Sequence, residues 1–463
     1  MKFIGNKIFI AFLIFFAGIK VYALDVVYPT AYNVNINASS TFFVGNTNPE
    51  EILTINGTKI DVHPSGAFAQ KVPLNIGKNV FTICSGFDKK VYTINRNAVL
   101  TVSYNNSSKI DNFKKFDEEK YVYIKNDGTA LRSTPVEQGI NRLSHLEKDV
   151  ILKIDGEMYG LYRVVLAENN YAWVNKKSVY ENVVQEDIEP AKLIAKYFDQ
   201  INHSKFYKIK LTKRIPYYVE EKDNELILHL FNIDGRESVI PVKLKYNLAG
   251  YDAYYERDNL VFEVKKKLKL YKFKPLKDIT IVIDAGHGGS EKGAVSCLRD
   301  NEKDINLKIA LYLYKELCKK GATVYMTRFT DEFVSLNDRV KFSNDKQADI
   351  FISVHANSLP DGKDPMKERG TSVYYYYDEA KPLAESILNS IVGKVKTKND
   401  GIYQRSFAVV RNSRALSVLI ETAYVINPYD IILLNNEKFQ KNCAKAISNG
   451  IIEYLKSIQV NQS

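Results

Sequence analysis

The sequence predicts a multidomain protein, with three small, mainly-β N-terminal modules followed by an α/β domain with a mainly parallel sheet. Three observations predict it. The chain has 463 residues, which at roughly 100–200 residues per domain gives three or four domains. Up to residue 273, short β-rich runs follow one another between turn signals. From residue 275 on, strands alternate with helices, the pattern of an α/β domain. The composition, 45% hydrophobic and 26% charged, is that of a folded protein. Beyond the N-terminus no stretch is long and apolar enough to span a membrane.

Residues 1–23 stand apart. Lys2 and Lys7 precede an apolar run from Ile8 to Ile19, and Val21-Tyr22-Ala23 resembles a signal-peptidase site. A secretory signal cut after Ala23 is expected; an uncleaved anchor is the alternative. Either way the bulk of the chain is exported, to a periplasm or to the cell surface or cell wall. The formal net charge is +11, and losing Lys2, Lys7 and Lys20 leaves it near +8. Such a charge favours anionic polymers or surfaces, and in that compartment nucleic acid is a poor candidate partner. Cys84, Cys297, Cys318 and Cys443 show no metal-type spacing, and export leaves three disulfide pairings open. Cys318 lies in an amphipathic helical pattern and is expected to be a buried free thiol.

Residues 24–105 read as a β-sandwich. Thr41 to Val44, Ile52 to Ile55, Lys59 to Val62 and Val80 to Ile83 are β-rich, and Asn56-Gly57 between two of them signals a hairpin. The Asn56-Gly57, Gly66-Ala67-Phe68, Val72-Pro73-Leu74 and Gly77-Lys78-Asn79 runs resemble bacterial immunoglobulin-like modules. Asn105 to Lys120 reads as a polar linker. In the next module, residues 117–184, Leu131 to Pro135 and Tyr171 to Val174 resemble the two ends of a bacterial SH3-like module. That likeness implies either binding of cell-wall peptides or a spacer role. Residues 188–273 open with a short helix expected over Pro190 to Gln200. Alternating strands follow at Tyr207 to Leu211, Leu226 to Phe231 and Leu260 to Val264. The unit resembles β-rich targeting modules. His63, His145, His203 and His229 are isolated in sequence and read as surface or structural histidines.

In the last block, residues 275–460, Asp278 to Ile283 reads as a buried strand. Lys303 to Lys320 reads as a helix closed by Gly321. Ala322 to Met326 and Asp349 to Val354 read as strands and Val334 to Ser343 as a helix. His287, flanked by Gly286, Gly288 and Gly289, follows the first strand; His355 ends another. Ligands gather at such strand ends. Glu302 opens the long helix, where a carboxylate also suits the helix dipole. Two imidazoles and a carboxylate form a known zinc set that leaves a position for water. Glu421 leaves a buried-type strand, Ser417 to Ile420. It is placed either for general-base work or for a rim salt bridge with Arg405, Arg411 or Arg414. Spacing does not choose between these. Arg339 and Asn357 are candidates for shaping the cleft or for structural roles.

The ordered runs "IVIDAGHGG", "GA", "NEKDINLKIALYLYKEL", "GATVYMTR", "LNDRV", "ADIFISVHAN", "GTSVYYY" and "LIETAYVINPYD" cover residues 278–456. They resemble the zinc-dependent N-acetylmuramoyl-L-alanine amidases of the type 3 family. The resemblance implies one zinc ion on His287, Glu302 and His355, with Glu421 as the catalytic glutamate. It implies peptidoglycan as substrate, cut between N-acetylmuramic acid and L-alanine of the stem peptide. Ala423-Tyr424 replaces the family's usual glycine-phenylalanine. Some members carry a helical insertion after the HAN motif that plugs the site; here Gly370 follows Asn357 too closely for one. Two rivals stay open: a non-catalytic cell-wall-binding protein, and a zinc peptidase acting within the stem peptide.

Overall fold

The computed structural model describes residues 23–97, 112–137, 139–181, 188–201, 204–222, 225–243, 250–265 and 268–460. Of the expected secretory signal, residues 1–23, all but Ala23 lie outside the described residues, as do His203 and residues 105–111 of the expected linker. Several mainly-β units precede a C-terminal domain that combines helices with a mixed sheet. Among the described residues no helix is long and apolar enough to cross a membrane.

The first unit pairs a three-stranded sheet with a five-stranded one. Phe43, Leu53, Phe68, Ile83 and Ile94 are fully buried between them. The Asn56-Gly57 hairpin joins Leu53–Ile55 to Thr58–Ile60. Both turn residues have positive φ, +50° and +78°, as this tight turn requires. The strand Ser40–Asn46 is buried on both faces. Phe43 points into its own unit, whereas Phe42 and Val44, with Ala67 and Ala69 of the next strand, join the core of the C-terminal domain.

The second unit is a seven-stranded sheet from Lys114–Ile124 to Val179–Tyr180. The third has a four-stranded and a three-stranded sheet. Their buried side chains form one continuous cluster, with Val122, Leu152 and Val164 meeting Ile209, Leu228 and Phe262.

Two expectations are corrected here. The residues Lys114 to Lys120 of the expected linker belong to a strand that pairs with Ile151–Met158. The helix expected over Pro190 to Gln200 is a strand, Leu193–Ile201, paired along its length with Ser204–Leu211. Its apolar spacing suits a helix by coincidence, and cross-strand pairing prevails over local pattern.

The C-terminal sheet runs in the order Thr323–Met326, Thr280–Ala285, Ile350–Asn357, Leu416–Tyr424, Thr371–Tyr375, Asn399–Gln404. Four neighbouring pairs are parallel, and Leu416–Tyr424 with Thr371–Tyr375 is antiparallel. Helices α1 (Glu302–Lys319), α2 (Leu336–Asp345), α3 (Lys381–Val395), α4 (Asp430–Leu434) and α5 (Glu437–Val460) complete the domain. Helix α1 buries Ile305, Ile309, Leu313 and Leu317 at helical spacing. This face packs on the sheet and on α5. Cys318 lies off that stripe and is exposed, which corrects the expected buried thiol. Cys297 and Cys443 are the buried cysteines, and all four are free.

Candidate metal centre

The centre is assembled where the strands Thr280–Ala285, Ile350–Asn357 and Leu416–Tyr424 end side by side. Parallel pairing sets the register, with Asp284 opposite Ser353 and His355 opposite Glu421. His287 follows the first strand on a turn in which His287, Gly288 and Gly289 all have positive φ. Glycine is needed at 286 for a steric reason. A Cβ there would lie 2.2 Å from the His355 ring.

Glu302, at the start of α1, bridges the two imidazoles. Its Oε2 lies 3.1 Å from His287 Nε2, and its Oε1 lies 2.9 Å from His355 Nδ1. The rings meet edge to face with centroids 5.0 Å apart. One donor atom from each of the three residues falls within 4.8 Å of the others. Two nitrogens and a carboxylate oxygen this close fit a tetrahedral metal with one position open.

The Glu302 carboxylate is held from behind. Ala294 N–H donates to Oε2 at 2.9 Å, and Asn306 Nδ2 donates to Oε1 at 3.1 Å. Burial pushes its pKa up, but the hydrogen bonds from the two histidines outweigh this and hold the carboxyl well below the usual range. For His355 burial opposes protonation, yet its hydrogen bond to Glu302 and the Glu302 charge raise its pKa.

Glu421 stands beside this triad. Its Oε2 is buried without a hydrogen-bond partner. Burial lifts its pKa to about 8; the charge of His355 opposes the shift and that of Glu302 adds to it. The rim salt bridges open at the sequence level do not form. Arg414 pairs with Asp252 and Glu263, Arg411 donates to Ser406, and Arg405 donates to Gln404 O. A cleft of about 620 Å³ opens over His287, His355 and Glu421, with Phe333, Leu336 and Phe407 at its apolar wall.

Arg339 is 2% exposed and holds the His287 turn. It donates to His287 O at 2.9 Å and Ala285 O at 2.8 Å, and pairs with Asp284 at 2.5 Å. Asp284 also accepts from Thr327 and Ser353. Arg328, which the sequence reading passed over, donates to Ala285 O, Gly286 O and Lys303 O. It thereby ties the His287 turn to the start of α1. Its sequence signal is its place just past a strand, at the end of the run "GATVYMTR". Asn357 serves its own loop, accepting from Ser358 N–H at 2.8 Å.

The first unit grips the loops on both sides of the centre. Arg299, just before Glu302, pairs with Asp25 at 2.6 Å, and Cys297 O accepts from Asn46 Nδ2. After His355, residues 358–370 contain no helix. In that loop Asp361 accepts from Tyr28 and Thr41, and Gly362 N–H donates to Ser40 O.

The profile of the N-acetylmuramoyl-L-alanine amidase family matches residues 281–453. The probable cell wall amidase LytH of Staphylococcus epidermidis is 37% identical over 185 residues, 40% of this chain and 60% of that protein. The chain therefore spans about 60% of the length of this curated relative. The uncharacterized protein YqiI of Bacillus subtilis is 35% identical over 187 residues, 39% of this chain and 86% of that protein. A crystal structure of the N-acetylmuramoyl-L-alanine amidase from Clostridium difficile 630 shares 35% identity, covering 39% of this chain and 97% of that one, with a TM-score of 0.37. Through its C-terminal domain the chain belongs to the N-acetylmuramoyl-L-alanine amidase family.

Proposed function

We propose that the protein is an exported zinc-dependent amidase of the cell wall. It hydrolyses the bond between N-acetylmuramic acid and the L-alanine of the peptidoglycan stem peptide. The observation that carries this reading is the pairing of two unlike carboxylates in one cleft. Glu302 is clamped between two imidazoles, while Glu421, opposite His355, keeps a buried oxygen without a partner. The first suits a metal ligand and the second a proton acceptor.

His287, Glu302 and His355 would hold one zinc ion, and the donor types and their spacing fit it. Zinc, when bound, lowers the pKa of a water toward about 7 and polarises the scissile carbonyl. Glu421 takes a proton from the attacking water at Oε2 and passes it to the departing nitrogen of alanine, which leaves as a free amine. The buried Oε2, which has no other partner, is free to hold that proton between the two transfers. Arg328 and Arg339 keep the His287 carbonyl turn fixed while this happens. The apolar wall of Phe333, Leu336 and Phe407 excludes water from one side of the cleft. The N-terminal units, read as immunoglobulin-like, SH3-like and targeting-type modules, would bring the domain to the wall. The net charge, near +8 once Lys2, Lys7 and Lys20 are removed from the +11 of the full sequence, supports attraction to an anionic polymer.

Metal removal tests the reading. Chelation is expected to abolish release of wall peptides, and one equivalent of zinc to restore it. Cleavage that persists in excess chelator would rule out the metal reading.

A further inference from the structure

A second cleft, of about 370 Å³, opens where three units meet. The strand Arg142–Leu146 of the second unit forms one side. Strands Tyr217–Lys222 and Tyr251–Glu256 of the third unit form another. The C-terminal domain supplies Tyr376 to Asp378 and Arg411.

Among the described residues its arginines, Arg142 and Arg411, and Arg132 behind them form no ion pair with a carboxylate, although acids also line the cleft. Arg142 Nη1 donates to His145 Nε2 at 3.1 Å, and its Nε is buried without a partner. Arg411 donates to the carbonyl and hydroxyl of Ser406. Arg132, 8% exposed behind them, donates to Asn141 Oδ1 at 3.4 Å. Burial, followed by the charges of Arg142, Arg411 and Arg132, pushes His145 down to about 4. Its imidazole is therefore neutral at pH 7 and accepts from Arg142.

Asp378 lines the cleft beside Arg411 and accepts from Gln404 Nε2 at 3.4 Å, and the acids on the facing wall are engaged too. Asp252 pairs with Arg414, Glu220 with His229, and Glu221 accepts from Tyr251. These acids would repel a polyanion such as a phosphate polymer. They suit a peptide, which brings N–H groups or an ammonium along with its carboxylates. A guanidinium fork matches the planar carboxylate, and tyrosine rings supply walls for a peptide backbone. The volume is within the range of small-ligand sites. Arg411 also ends the turn Ala408–Arg411, whose Ala408 and Val409 line the metal-centre cleft. The same turn borders both clefts.

We propose that this three-unit cleft is a carboxylate-binding subsite for a short peptide, used to hold the stem peptide while the metal centre acts. The choice of stem peptide rests on the amidase reading above; the carboxylate site does not.

The test is isothermal titration of the zinc-loaded full chain with L-Ala-D-Glu-L-Lys-D-Ala and with the same peptide carrying amides in place of its carboxylates. The acid form is expected to bind at least about tenfold more tightly, since charge-assisted hydrogen bonds are lost in the amide. Arg142→Gln and Arg411→Gln, which lie in different units, should each remove the preference. If Arg142→Gln fails to fold, Arg142→Lys keeps the charge without the fork and should weaken it. Equal binding of acid and amide, or a preference that survives both glutamine variants, would overturn the proposal. So would displacement of the peptide by an equal concentration of inorganic phosphate. Digestion of purified sacculi separates the two readings. An intact carboxylate preference with no released peptide sinks the amidase reading alone, and released peptide with no preference sinks the subsite alone.

Discussion

At the scale of single residues, Glu421 makes the sharpest claims. Its folded pKa, about 8, lies above the ordinary 4.5. Between these values the folded metal-free protein binds a proton that the unfolded chain releases. Its contribution is fully present below the unfolded pKa and is lost as pH rises toward 8. The metal-free protein is therefore expected to melt at a lower temperature at pH 8 than at pH 5. His355, whose pKa is also raised, and Asp252, lifted to about 6 by burial, act in the same direction. Glu421→Gln should reduce the drop without erasing it; an unchanged slope would show that Glu421 does not titrate in this way. On the chemistry, Glu421→Gln should keep one zinc per chain by metal analysis while turnover falls by roughly 10²–10⁴-fold. Near-normal turnover would remove Glu421 from the proton-transfer role. The grouping of His287, Glu302, His355 and Glu421 was legible in the sequence because each lies inside an ordered motif near a strand exit or a helix start. Asp284 and Arg328 also lie inside those motifs, but their roles could not be read there, since they depend on contacts across some 40–50 residues of chain.

At the scale of elements, the metal centre depends on how three parallel strands end together and how two arginines fasten the turn after the first. The Asp284–Arg339 pair has side chains only 1% and 3% exposed. Asp284→Ala would leave Arg339 buried without its counter-charge, a loss of about 3–5 kcal/mol. Denaturant unfolding measures it, and a change within about 0.5 kcal/mol would mean the pair is not what holds the turn. Helix α1 was legible to within a residue, because its apolar stripe is regular and Gly321 marks its end. The strand Leu193–Ile201 was not legible as a strand. Its Leu193, Ile194, Tyr197, Phe198 and Ile201 fall at helical spacing, and it is pairing with the next strand, Ser204–Leu211, that makes it extended. Cys318 was misread for a related reason: a step of one residue, roughly 100° around the helix, carries the chain from buried Leu317 to the solvent face.

At the scale of the whole molecule, the first unit is more than an appendage. Phe42, Val44, Ala67 and Ala69 bury themselves in the core of the C-terminal domain, and Asp25 and Asp361 tie the loops flanking Glu302 and His355. The sequence carried a trace of this. Phe42-Phe43-Val44 is apolar on consecutive positions, as a strand covered on both faces should be. Which surface covers it could not be read from the run itself. Asp361→Ala would leave the Tyr28 and Thr41 hydroxyls without their acceptor, at about 1–3 kcal/mol. Hydrogen exchange should then quicken at Gly362, whose N–H donates to Ser40 O; unchanged protection there would show that Asp361 does not hold the junction. The central claim remains the bond that is cut, and mass spectrometry of purified sacculi digested by the zinc-loaded full chain tests it most directly. The account predicts free peptides beginning at L-alanine beside glycan stripped of peptide. Fragments cut within the stem, with L-alanine still attached to N-acetylmuramic acid, or no released peptide at all, would contradict it.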